Sequence, residues 1–160
     1  SQFERALCDF AKMIGIHAER YDENGEGPDV LWLLPNKVGF VIEAKSRKKE
    51  RNALTKEEHG QLLVADEWFS KNYPGYSSIR ISVHPQNQAT KAAVAGASFA
   101  LTYEKLNALI SDARTILSHL CKSKLQDEDL IVECDHTLAQ SNIKFDKLAD
   151  SYLCAFEEPE

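Results

Sequence analysis

A chain of 160 residues, 43% hydrophobic and 28% charged, has the length and make-up of one compact domain. That rules out disorder, collagen and a coiled coil, and no apolar run approaches the roughly 18 residues needed to cross a bilayer. The net charge of -6 speaks against a basic nucleic-acid carrier, although a local field can differ in sign from the total.

The elements are predicted in chain order. Apolar Phe3, Leu7, Phe10 and Ile14 recur at helical spacing, so residues 3–15 form a one-sided helix that Gly15 ends. A short strand from Ile16 to Tyr21 follows, then a turn through Asn24-Gly25-Glu26-Gly27-Pro28. Asp29–Leu34 and Val38–Lys45 are strands joined as a hairpin by Pro35-Asn36-Lys37. Both strands are apolar on both faces, which predicts burial between two layers. Thr55 with Glu58 three residues later is a capping box, opening a helix that Tyr73-Pro74-Gly75 stops. Ile79–Val83 is a further strand, and the Ala-rich stretch 86–97 suggests a short helix. Thr102 caps a long helix with a stripe of Leu106, Leu109, Ala113, Ile116 and Leu120, and helices over about 128–140 and 145–156 complete the chain. The expected class is α/β: an αβββαβ core over residues 1–100 with a mixed central sheet flanked by helices, plus a C-terminal helical extension over 101–160.

The hairpin carries the chemistry. A turn centred on Asn36 places Asp29 opposite Glu43, and directly opposed side chains have Cβ atoms about 4.5–5.5 Å apart. Lys45, two residues beyond Glu43, shares its face. A slip of one residue would send the two carboxylates to opposite faces, so the inference depends on the turn. Carboxylates forced together repel, and a divalent cation removes that cost. Oxygen ligands suit Mg²⁺ or Mn²⁺, and a bound water beside a lysine is a nucleophile for phosphodiester attack. The plainer alternative is a salt bridge from Lys45 to one carboxylate with no ion bound.

Pro28-Asp29, the 13 residues that follow, and Glu43-Ala44-Lys45 resemble the PD-(D/E)xK motif of the restriction-endonuclease-like nucleases. The resemblance covers about residues 1–85 and implies Mg²⁺-dependent cleavage of nucleic acid, with Mn²⁺ able to substitute. It makes Asp29 and Glu43 metal ligands, joined by the backbone carbonyl of Ala44, and sets Lys45 on the attacking water. It also implies an acidic residue from the first helix, for which Glu4 is the candidate, and a polar residue on the helix after the motif, where Gln61 fits. The basic run Lys45, Arg47, Lys48, Lys49 and Arg51 follows at once and would neutralise phosphates.

The partner expected is DNA, with RNA not excluded, and the chain would work beside other domains of a longer protein or complex, as its opening on Ser1 suggests. Restriction, defence and repair are all compatible settings, and a homodimer would supply a second centre. Two rival readings are a catalytically inactive module that docks nucleic acid or a protein, and an assembly domain using its C-terminal helices. His59 is weighed as a phosphate contact against a solvent-facing residue. Cys121, Cys134 and His136 have no familiar zinc spacing. Without an export signal, Cys8, Cys121, Cys134 and Cys154 are expected to stay reduced, and the expected location is the cytoplasm.

Overall fold

A computed structural model of the chain describes residues 1–21, 25–45, 48–49 and 52–158. Chain order is α1 (Gln2–Met13), β1 (His17–Glu19), β2 (Val30–Leu33), β3 (Val38–Ala44), α2 (Lys56–Asn72), β4 (Ser77–His84), β5 (Phe99–Thr102), α3 (Tyr103–Lys122), α4 (Asp127–Ala139), α5 (Leu148–Tyr152) and β6 (Cys154–Ala155). Among the described residues six strands form one sheet in the order β1-β2-β3-β4-β5-β6. The pairs β1–β2, β2–β3 and β5–β6 run antiparallel, while β3–β4 and β4–β5 run parallel. The class is therefore α/β with a mixed sheet flanked by helices, as the two-faced apolar strands imply.

Successive side chains on a strand point to opposite faces, and the core divides accordingly. Trp32, Phe40, Ile42, Ile81, Val83 and Leu101 pack on one side against α1, α3 and α5 through Leu7, Ala11, Leu106, Leu109 and Tyr152. Leu31 and Val41 pack on the other against Leu62, Ala65 and Phe69 of α2. Helix α2 sits so close that a Cβ at Gly39 would lie 2.2 Å from the Phe69 ring, so β3 needs a glycine there.

The hairpin turn forms as expected. The Lys37 N–H donates to the Leu34 carbonyl (3.2 Å) and the Leu34 N–H to the Val38 carbonyl (2.9 Å). Lys37 is left-handed at φ 61°, which is the three-residue hairpin geometry. Both expected N-caps form: the Glu58 N–H donates to Thr55 Oγ1 and the Lys105 N–H to Thr102 Oγ1, each at 3.2 Å.

The C-terminal part departs from expectation. The boundary expected at residue 100 falls inside β5, and β6 rejoins the sheet after α5, so residues 101–160 are not purely helical. The short helix expected over 86–97 reduces to one 3₁₀ turn at Lys91–Ala93, and the last helix spans Leu148–Tyr152 alone. Thr102 explains the missed strand, because it is both the last residue of β5 and the N-cap of α3. Backbone bridges Leu54–Ala89 and Gln88–Glu157 tie the β4–β5 connection to the residues before α2 and to the segment after β6. Among the described residues, no helix is long and apolar enough to cross a membrane.

Candidate active site

The β2–β3 register pairs Val30 with Ile42 and Leu33 with Gly39, so Asp29, one step before Val30, stands opposite Glu43. Leu31 and Val41 face α2. Asp29, Glu43 and Lys45 lie two or four residues along the same strands and share that face. Asp29 is pinned there, since its Oδ2 accepts a hydrogen bond from the Ala44 N–H at 2.8 Å. The parallel partner β4 ends level with β3 and accepts from the Lys45 N–H through the Val83 carbonyl (3.1 Å).

Glu43 is buried. Burial first, then the negative charge of Asp29, push its carboxyl up from 4.5 to about 8, and the Lys45 ammonium only partly offsets them. That ammonium lies 4.0 Å from Glu43 Oε2 and donates to Gln61 Oε1 at 2.9 Å. Gln61 reaches the site from the first half of α2, so helix and hairpin converge on the lysine. Asp29, Glu43, Lys45 and Gln61 are thus brought together.

The other expected residues are placed differently. Glu4 is part of the α1 capping box and accepts from Arg20 Nη2 at 3.2 Å. Ala18 of β1 faces α1, and Arg20 shares that face, so Glu4 is engaged on the side of the sheet away from α2. Lys48 turns inward, its side chain 9% exposed and its ammonium 2.5 and 2.7 Å from the two Glu58 carboxylate oxygens. Lys49 is exposed. Arg47 and Arg51 lie outside the described residues. His59 is neither a phosphate contact nor solvent-facing. It is buried, with Nδ1 2.7 Å from the Ala93 carbonyl oxygen and Nε2 2.8 Å from Ser98 Oγ.

Three further residues border the site. The Tyr103 hydroxyl donates to the Lys45 carbonyl from the first turn of α3. Ser82 pairs with Glu43 across β3–β4 and is buried, with no hydrogen-bond partner for its Oγ among the described residues. His84, at the end of β4, is fully buried. Its Nδ1 lies 2.7 Å from the Gln86 carbonyl oxygen, and Nε2 has no partner among the described residues. Burial holds this imidazole below its usual range, with the charge of Lys48 adding to the effect against the pull of the Gln86 carbonyl. The sequence signals were faint: His84 closes a predicted strand, and Tyr103 follows a predicted cap.

Among the described residues no group of three or more His, Cys, Asp and Glu side chains is arranged to hold a metal. The set here is smaller: the two carboxylates of Asp29 and Glu43, which the family resemblance would join with the Ala44 carbonyl. Hard oxygen donors of this number fit Mg²⁺, which binds through one or two carboxylates and keeps several waters. Burial, and then the neighbouring Asp29 charge, make the ionised form of Glu43 costly, a cost that a bound cation would relieve.

Compared with protein-family models, curated proteins and solved structures, the chain matches none.

Proposed function

We propose that this chain is a divalent-metal-dependent nuclease domain of the restriction-endonuclease-like, PD-(D/E)xK kind, hydrolysing phosphodiester bonds, with DNA as the favoured substrate. The observation that carries this reading is the hairpin register, which sets Asp29 against Glu43 on the face that also bears Lys45. A strand pair built only for packing gains nothing from two opposed carboxylates, one of them buried. Asp29 and Glu43 would hold Mg²⁺ or Mn²⁺ together with the Ala44 carbonyl. When bound, the cation supplies neutralising charge for the phosphate and acidity for a ligated water.

The remaining work falls to side chains of this chain. The Lys45 ammonium, aimed by Gln61, orients the attacking water and can donate to a phosphate oxygen as charge builds there. Gln61 keeps the ammonium from collapsing onto Glu43, which leaves that carboxylate available. Tyr103 steadies the main chain at Lys45. Exposed Lys49 is available to a neighbouring phosphate. The parallel order β3–β4–β5 and the helices on both sides suit the αβββαβ core of that class, working with other domains of a longer restriction, defence or repair protein.

The test is a cleavage panel on duplex DNA, single-stranded DNA and RNA with Mg²⁺ or Mn²⁺. Wild type is expected to cleave DNA, and Asp29→Ala, Glu43→Ala and Lys45→Ala to lose at least about 10²-fold in rate. Wild-type activity in Lys45→Ala would remove the mechanism. Tight DNA binding with neither cleavage nor Mn²⁺ uptake would show a docking module instead.

A further inference from the structure

We propose that Lys48 and Glu58 are positioning residues whose shielded ion pair holds Lys45 in place between Glu43 and Gln61, so that Lys48 is not a phosphate contact. The inference rests on the nuclease reading for its meaning, though its geometry does not. Two lysines three residues apart donate to two α2 residues three residues apart: Lys45 Nζ to Gln61 Oε1 at 2.9 Å, and Lys48 Nζ to Glu58 Oε1 and Oε2 at 2.5 and 2.7 Å. Residues three apart on a helix lie on one face, so both rungs lean on the same side of the opening turns of α2.

The second rung is fixed at both ends. Glu58 is immobilised by the capping box, its Oε2 also facing the Thr55 N–H at 3.4 Å. Lys48 is linked to Lys45 through the main chain, where the Lys48 N–H donates to the Lys45 carbonyl at 3.4 Å. That same carbonyl receives the Tyr103 hydroxyl. The peptide carrying the catalytic lysine is thus held from α3 by Tyr103 and from α2 by Glu58 acting through Lys48. With its side chain 9% exposed, Lys48 would have to abandon a bidentate carboxylate to meet a phosphate, whereas Lys49 needs no such exchange. With its ammonium 4.0 Å from Glu43 Oε2 and 2.9 Å from Gln61 Oε1, Lys45 depends for its place between them on the ladder that holds its peptide.

The test uses the full chain carrying Lys48→Met, Glu58→Gln, the double variant and Lys48→Arg. Glu58→Gln keeps a capping-box residue while removing the charge, which protects against loss of fold, and circular dichroism checks each variant. The first readout is the ¹⁵N signal of the Lys45 ammonium, assigned through Lys45→Arg, because held ammonium protons exchange slowly. Lys48→Met and Glu58→Gln should each broaden that signal, the double variant should be no worse than either single, and Lys48→Arg should restore it. The second readout is kinetic: kcat on DNA should fall about tenfold in the two single variants, with KM little changed. The log-log salt slope of DNA binding should stay unchanged in Lys48→Met and shrink by about one in Lys49→Ala. An unaltered Lys45 signal in Lys48→Met, or a salt slope reduced by one in that variant, would overturn the proposal. If wild type cleaves nothing, the nuclease reading fails on its own, and the ammonium signal still decides the ladder.

Discussion

The Glu43 carboxyl offers a sharp thermodynamic handle. In the folded, cation-free protein its pKa stands at about 8 against an ordinary 4.5, with burial the larger cause and Asp29 the next. A raised acid binds its proton more tightly in the folded state than in the unfolded one. The stability this group lends is therefore complete below about pH 4.5 and is lost as pH rises toward 8. At ~1.36 kcal/mol per pH unit the loss accumulates to roughly 5 kcal/mol, which is about 10–20 °C in Tm for a domain of this size. Glu43→Gln stays neutral and escapes the loss. Unfolding should be followed in urea, with EDTA present, from pH 4.5 to 9 for both proteins. The stability of wild type minus that of Glu43→Gln should fall across this window and level off above pH 8. Titrating groups other than the coupled Asp29 are common to both proteins, so the difference reports the Glu43–Asp29 pair. A difference that stays flat, or rises with pH, would refute the account of a carboxylate crowded by Asp29 and burial.

A divalent cation should reverse that penalty. Mn²⁺ at 100 times its Kd should stabilise wild type by about 2.7 kcal/mol at pH 8, read as a Tm rise that Asp29→Asn lacks and that shrinks at pH 5 as protons compete for Glu43. Gly39→Ala should cost roughly 1–3 kcal/mol by overpacking, because its new methyl meets the buried Phe69 ring at 2.2 Å; urea titration would show it, and an unchanged midpoint would mean that α2 yields freely. A chain cut after Ala100 should lose cooperative thermal unfolding, since Leu101, Leu106, Leu109, Ala113 and Tyr152 are part of the main core.

What could be read in the sequence was what local chemistry decides. Pro35-Asn36-Lys37 marks a tight reversal, and centring it on Asn36 gives the register that sets Asp29 opposite Glu43, as the strand pairing has it. The Thr55 and Thr102 caps were equally legible, because a hydroxyl before a helix has one main use. Strand β5 was hidden because four residues that run straight into a capped helix carry no period of their own, and only pairing with β4 makes them a strand. β6 is shorter still and exists through β5. Burial of charge was the other blind spot. Lys48 sits in a basic run that suggests phosphate contacts, yet a carboxylate on α2 turns it inward. His59 was similar: Ala93 and Ser98, 34 and 39 residues later, fill its two ring nitrogens, a pairing that no local pattern announces.

The outermost strands of the sheet are short: three residues in β1 and two in β6. Rims so brief give an incoming strand almost nothing to zip onto, which guards against runaway stacking of copies. If the proposed nuclease severs both strands of a duplex, two cutting centres are needed, and rims this short leave side-chain surfaces rather than strand pairing to join two copies.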